Sequence, residues 1–386
     1  MAREPVIILA KRAAIGRLLG GLGDLSAVDL GEQLTRQTMA AAGVDPAAVQ
    51  QTILGCVLPA GQGMNVARQV AIAAGISDSR PAFTINQVCG SGLKSVELAA
   101  QQIRLGEADL VLAGGIESMS RAPFLLQGWR GGQYSDTTLL DSLYRDGLLD
   151  SFEGIHMGIT AERLAADFAI SREAQDAYAA ESQSRYWDAR ESLADEILPI
   201  DAAAGPFSED EHPRRTSPEK LANLAPAFQP DGSVTAGNSS GLNDGAAIVL
   251  VADRDWADAN SLTYDFVLRG FVNVGLDPGR MGLGPVGAIR GLRERFNITD
   301  ADIDLYEINE AFAAQTLAVL KSLDLDAAKV NVNGGAIALG HPFGMTGARI
   351  MTTLLNGLED SDKEFGVESM CVGGGQGMAM VVQRLN

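Results

Sequence analysis

The last third of the chain repeats the order of elements found in its first third, which restricts the fold to two similar α/β halves. In the first third, Ser26 to Ala42 carries apolar residues at helical spacing, with Ser26 placed as N-cap. A strand at Gln51 to Leu58, a helix at Asn65 to Ala74, a strand at Pro81 to Val88, a helix at Leu93 to Leu105 and a strand at Asp109 to Gly115 follow. The last third reads as a helix at Val286 to Phe296, an acidic turn, a strand at Ile303 to Ile308 and a helix at Ala311 to Ser322. A strand and Gly-rich turn at Val330 to Gly335, a helix at Thr346 to Leu358 and a closing strand pair complete it. Some detail matches too: Val-Leu-Ala-Gly-Gly at 111–115 resembles Cys-Val-Gly-Gly-Gly at 371–375. The alternation predicts a largely parallel sheet. Pro5 to Ala10 adds a buried strand, and strand character returns at Ala246 to Val251. Between them lie turns, two amphipathic helices (Gly158 to Phe168 and Ser171 to Arg190) and a Pro-containing loop over 204–218. The expected organisation is a first half of residues 1–118 and 243–264, an inserted loop domain of residues 119–242, and a second half of residues 265–386.

At 386 residues, 46% of them hydrophobic, the chain can bury a sizeable core. Its net charge of −19 argues against a nucleic-acid or anionic-membrane partner, because both need clustered Lys and Arg. An anionic small molecule held by a local basic patch stays open, and Arg214-Arg215 is such a patch. Cys56, Cys89 and Cys371 are too few and too scattered for a disulfide framework, and no CxxC pair predicts a metal site. Cys56, within an apolar run, reads as structural. The apolar run Val6 to Ala10 is too short for a membrane span or a signal peptide's apolar region, and the C-terminal Gln-Arg-Leu-Asn is no usual peroxisomal address. The expected setting is soluble, reducing and cytoplasmic.

Chemistry concentrates first at Asn86-Gln87-Val88-Cys89-Gly90-Ser91-Gly92. Cys89 falls at a strand-to-helix turn, where helix N–H groups favour an anion and lower a thiol's pKa below its free value of about 8.5. Gly90 and Gly92 are expected to let the backbone turn sharply and approach a ligand. The competing reading is a buried cysteine packing as a small hydrophobe. Three C-terminal motifs join it: Asn309-Glu310-Ala311-Phe312, the Gly-rich run ending in Gly340-His341-Pro342, and Cys371-Val372-Gly373-Gly374-Gly375. Singly, each has a structural explanation: Asn309 as a helix cap, His341 as a core histidine, Cys371 as a strand residue.

In this order, with His156-Met157-Gly158 and Ala236 to Gly245, the motifs resemble the thiolases over essentially the whole length, most closely their acetyl-CoA acetyltransferase branch. The resemblance implies a five-layered αβαβα fold of two similar halves plus a loop domain. It implies acetyl-CoA C-acetyltransferase activity, the reversible Claisen condensation of two acetyl-CoA to acetoacetyl-CoA. Cys89 would be the acyl-carrying nucleophile, His341 its base and an oxyanion donor, and Cys371 the acid/base at the α-carbon. Asn309 would hold an oxyanion water, and Gly373 would give a backbone oxyanion donor. Coenzyme A is implied as substrate and product, with no permanent cofactor and no metal. On its side the pattern places Ser240 at the pantetheine arm, Leu148, Met157, Phe228, Ala236, Leu242, Met281 and Phe312 along a tunnel, and Arg214 (or Arg215) at the nucleotide end. His156 would mark acetoacetyl-type members, whereas His212 reads as a structural loop residue. Alternatives are a longer-chain 3-ketoacyl-CoA thiolase of fatty-acid β-oxidation, a decarboxylating ketoacyl synthase, and a non-catalytic acyl-CoA or lipid carrier. The family implies a homodimer or homotetramer, with tetramer contacts expected at Pro123 to Gly132. Two departures stand out. The loop Lys11 to Arg17 differs from the family's usual sequence and is expected to lie away from the motifs, and Lys220 stands where a serine often contacts coenzyme A.

Overall fold

Nine strands carry the fold in the computed structural model, which describes residues 3–128, 130, 132 and 137–385. They are β1 (Pro5–Arg12), β2 (Gln51–Gly55), β3 (Ala82–Ile85), β4 (Leu110–Ser118), β5 (Asn243–Asp253), β6 (Phe266–Gly275), β7 (Leu305–Ile308), β8 (Phe365–Val372) and β9 (Gln376–Arg384). Their order is β7-β8-β9-β6-β1-β5-β4-β2-β3, and Gly16–Arg17 adds a short strand on β5, making ten. The two halves join where β1 meets β6 through Val6 opposite Val267 and Ile7 opposite Phe266.

Helices Ala27–Ala41 and Val66–Ala73 cover the outer face of the first half, burying Leu30, Leu34 and Val70 against Leu250. Ser26 caps the first of them in a capping box with Asp29. Helices Ser91–Leu105 and Phe343–Asp360 pack on one another between the halves, where Leu93, Val96, Met351 and Leu354 join Met370 and Met380. Helices Gly284–Phe296 and Ala313–Leu323 cover the far side with Ile289, Leu292 and Val319. The result is five layers, αβαβα. The chain leaves β4 at Ser118 and re-enters the same sheet on β5, where Asp244 lies opposite Ser118. In between are helices Met157–Asp167 and Arg172–Leu193. The stretch Pro123 to Gly132 includes Trp129 and Gly131, which lie outside the described residues. Among the described residues no helix is long and apolar enough to cross a membrane.

Four details depart from the sequence expectation. The sheet is mixed: β2–β3, β2–β4 and β7–β8 are parallel, and the other pairings are antiparallel. A tight connection permits only antiparallel pairing, and β8 and β9 are joined by the three residues Gly373, Gly374 and Gly375, the last two at φ +81° and +82°. The strand expected to stop at Gly115 runs on to Ser118. Its paired glycines mark close packing: a Cβ at Gly115 would lie 1.8 Å from the Gly344 carbonyl oxygen. Phe266–Gly275 is a strand that the pattern does not announce, because a register shift between Leu268 and Gly270 breaks its alternation. Val330 to Gly335, finally, is no strand. Asn331 adopts φ +49°, and its side-chain amide accepts from the Ile308 N–H at 2.7 Å and donates to the Ile308 carbonyl at 2.9 Å. That amide occupies the edge of β7 as a neighbouring strand otherwise would.

Candidate active site

Strand β3 leads into Asn86–Gly90, then into the helix Ser91–Leu105. The strained residue in this elbow is Val88, at φ +46°. A β-branched side chain there costs on the order of 1–3 kcal/mol, offset by local hydrogen bonds. Val88 N–H donates to Asn86 Oδ1 at 2.9 Å. Ser91 Oγ accepts from Gln87 N–H at 2.8 Å and donates to the Val88 carbonyl at 2.7 Å. The two glycines serve differently from expectation. Gly90 has an ordinary φ of −77°. What both permit is contact with the second half: a Cβ at Gly90 would lie 2.6 Å from Met378 Sδ, and one at Gly92 would lie 2.8 Å from the Gly344 carbonyl oxygen.

The elbow does not lower the Cys89 pKa. Burial pushes the thiol up to about 11, outweighing the N–H groups of Gly373 and Cys89 itself that hydrogen-bond the sulfur, and the Glu117 carboxylate adds to the rise. Resting Cys89 is therefore a thiol, and its proton needs an acceptor in place.

His341 is placed by Gly340, which takes φ +102° and would meet Asn243 Oδ1 at 2.4 Å if it carried a Cβ. The same oxygen accepts from the His341 backbone N–H at 3.0 Å. Burial, aided by the Arg349 charge, lowers the imidazole pKa to about 3, so the ring is neutral. Its tautomer follows from hydrogen counting. Thr346 Oγ1 donates its one proton to the Pro342 carbonyl at 2.7 Å, so it accepts from His341 Nδ1–H at 2.6 Å. Nε2 keeps its lone pair, 3.5 Å from Asn309 Nδ2. This geometry is that of a base. Removing the hydroxyl in Thr346→Val is expected to lower kcat about tenfold to a hundredfold with KM little changed, because orientation of a general base is lost. Thr346→Ser should retain the rate, and a valine variant as fast as wild type would exclude this role.

Cys371, the next-to-last residue of β8, is buried, and its thiol is pushed far above the usual range by burial first and the Cys89 charge second. The two cysteines line the same cavity. Below them Glu310 accepts from Tyr178 Oη (2.9 Å), Ser182 Oγ (2.7 Å), Asn331 Nδ2 (2.9 Å) and the Ile337 N–H (3.1 Å). This satisfied buried carboxylate ties together the loops that carry Asn309 and His341.

These groups open onto one cavity of about 460 Å³. Cys89, His341, Cys371 and Gly373 line it, as do Leu148, His156, Met157, Arg214, Phe228, Ala236, Ser240, Leu242, Met281 and Phe312. Asn309 stands behind His341, almost fully buried. His156 stacks on Phe228 with ring centroids 4.7 Å apart, and its Nδ1 accepts from the Gly158 N–H at 3.0 Å. Burial lowers its pKa, which keeps it neutral with Nε2–H as a donor. Arg214 also lines a smaller adjoining cavity of about 250 Å³ with Arg215, Thr216 and Lys220, and Arg215 lies over the Trp187 ring at 4.2 Å. Cys56 lies in the core, donating to Glu117 Oε1 at 3.5 Å.

Three wall regions were not anticipated. Arg17 and Leu18 line the cavity, so the loop after β1 does reach the site, anchored by buried Arg12, whose guanidinium pairs with Glu196 at 2.5 Å and Asp210 at 2.8 Å. His212, read as structural, also lines both cavities, held neutral by burial with its pKa lowered to about 4. Phe343 lines the wall beside His341, and its position directly after the His-Pro pair was the available signal. Among the described residues no group of three or more His, Cys, Asp or Glu side chains could hold a metal ion.

Residues 5–255 match the family description "Thiolase, N-terminal domain", and residues 262–384 match "Thiolase, C-terminal domain". The chain belongs to the thiolase family. This thiolase is 46% identical over 391 residues to the acetyl-CoA acetyltransferase of Pseudomonas aeruginosa, covering 99% of this chain and 100% of that one. Its fold superposes on the crystal structure of the Bacillus anthracis acetyl-CoA acetyltransferase with a TM-score of 0.96 at 42% identity, covering 100% of this chain and 99% of that one. Human mitochondrial 3-ketoacyl-CoA thiolase in complex with CoA gives 0.97 at 42% identity, covering 100% and 98%. The chain is accordingly an acyltransferase of the thiolase type.

Proposed function

We propose that this thiolase is an acetyl-CoA C-acetyltransferase, joining two acetyl-CoA to acetoacetyl-CoA and CoA or running the reverse thiolysis. The observation that carries the reading is the meeting of Cys89, neutral His341 and Cys371 in one cavity. The 46% identity to a named acetyl-CoA acetyltransferase over nearly the whole chain supports the substrate.

In the first half-reaction His341 Nε2 takes the Cys89 proton, and the sulfur attacks the acetyl-CoA carbonyl. The tetrahedral oxyanion forms against the N–H groups of Cys89 and Gly373. CoA leaves with the Cys371 proton, giving acetyl-Cys89 and a Cys371 thiolate. Burial, which makes that thiol a weak acid, makes its thiolate a strong base. It removes the α-proton of the second acetyl-CoA, whose enolate oxygen is met by His341 Nε2–H, now protonated, and by a water held by Asn309. The enolate attacks acetyl-Cys89. The departing Cys89 sulfur recovers its proton from His341, and Cys371 keeps the α-proton, so the cycle closes. The pantetheine arm runs past Ser240, Met157 and Phe228 toward Arg214, with the residues of 119–242 as the domain that holds it. Coenzyme A is the only exchangeable group the cycle needs. A cytoplasmic homodimer or homotetramer is the assembly proposed.

The test is the rate of CoA-dependent cleavage across 3-ketoacyl-CoA substrates of increasing length. The expected maximum is at acetoacetyl-CoA. A maximum at long chains would move the protein to the fatty-acid degradation branch, and no cleavage at any length with CoA still bound would make it a carrier.

A further inference from the structure

The two sulfurs face different apolar surroundings. Cys371 belongs to a cluster with Met281 and Phe312, against which Met157 and Phe228 pack. Cys89 packs against the central core and, on another side, against a separate cluster of Val57, Leu58, Met119 and Phe343. We propose that Phe343 is the stop that confines the acyl group on Cys89 to a short chain, an inference that rests on Cys89 being the acyl carrier.

The direction of the acyl group follows from its two ends. Its carbonyl oxygen is drawn to the N–H groups of Cys89 and Gly373, which hydrogen-bond the sulfur in the resting site. The alkyl end turns away from these donors and stays in the cavity, whose wall beside Cys89 includes the Phe343 cluster rather than the closed central core. Phe343 is the member of that cluster on the cavity wall. Its ring cannot swing aside freely. One side meets the His341 imidazole edge-on, with centroids 5.2 Å apart and planes at 76°. Another side meets Gly147, where a Cβ would lie 2.6 Å from Phe343 Cε2. As the first residue of the buried helix Phe343–Asp360, it has a backbone fixed between β4 and His341. Glu117 on β4 accepts from the next N–H, that of Gly344, at 2.8 Å. A longer acyl chain would have to displace the ring and, with it, the general base.

The experiment compares wild type, Phe343→Ala, Phe343→Leu and Gly147→Ala on 3-ketoacyl-CoA substrates from acetoacetyl to decanoyl length. The readout is the ratio of kcat/KM for each longer substrate to that for acetoacetyl-CoA. One methylene in a fitted pocket is worth about 10- to 200-fold, so Phe343→Ala should raise this ratio about tenfold or more. Phe343→Leu should shift it less in the same direction. Gly147→Ala, whose Cβ would crowd Phe343 from a position itself on the cavity wall, should lower it. A general loss of rate from a disturbed His341 would leave the ratio unchanged, and an unchanged ratio in both Phe343 variants overturns the proposal. If the alanine variant does not fold, the leucine variant decides. A wild-type maximum at long chains would overturn the acetyltransferase reading together with this stop. A wild-type maximum at acetoacetyl-CoA with unmoved ratios would overturn the stop alone.

Discussion

Replacing Cys89 with alanine is expected to reduce turnover by about 10⁴-fold or more, the scale seen when a covalent nucleophile is removed. CoA affinity by calorimetry should be almost unchanged, because the tunnel from Leu148 to Arg214 is left intact. Preserved turnover would refute covalent catalysis at this residue. The same cysteine tests the electrostatics. With its pKa pushed up to about 11, the thiolate fraction grows with every pH step below that value. Alkylation of the free enzyme at Cys89, followed by mass spectrometry, should still be accelerating above pH 9. A helix N-terminus acting without opposition would give a plateau below about pH 8.5. A plateau there would mean that the N–H groups outweigh burial. In the proposed cycle catalysis does not wait for that thiolate, because neutral His341 would take the proton as the carbonyl is attacked.

The thiol shows where sequence stops being informative. Strand, cysteine, glycines and helix are legible in order from Pro81 to Leu105, because periodicity and turn chemistry are local. The sign of the Cys89 shift is not local. It depends on how deeply Met378, Val372 and the Gly344 backbone close over the elbow, and these come from the other end of the chain. Two similar α/β halves were readable from the repeated element order, and the five-layer plan came from the family resemblance. Strand direction was not, because three glycines can mark a bend or a hairpin equally well. Asn331 illustrates a further limit: a Val-Asn-Val-Asn run looks like a strand, and only the side-chain amide's two bonds to Ile308 reveal a substitute for one. Conversely, the glycines inside β4 looked like an ending when they were a packing surface. On the site, the named motifs supply somewhat more than half of the wall, while Leu148, Arg214, Phe228 and Met281 came from the family resemblance. Arg17 and His212 escaped because they lie on loops whose course is set by buried pairs such as Arg12 with Glu196 and Asp210, and Phe343 escaped because it opens a helix just beyond the His-Pro pair.

Cys371→Ala should separate the two halves of the reaction. Acyl transfer from acetyl-CoA onto Cys89 should survive, slowed by loss of the proton donor to departing CoA, which can also leave as a thiolate. Condensation should fall by about 10³-fold or more, because general base catalysis at carbon contributes about 10²–10⁴-fold and Cys371 is the base proposed for that step. In the proposed cycle His341 is protonated at that stage, and His156 is committed through Nδ1 to the Gly158 N–H. The measurement is a single-turnover assay with labelled acetyl-CoA, following acetyl-enzyme by mass spectrometry and acetoacetyl-CoA by absorbance. Accumulation of acetyl-Cys89 without condensation is the expected outcome. Loss of both steps together would make Cys371 a structural partner of Cys89, and the high pKa that burial gives it would then be a consequence of packing alone.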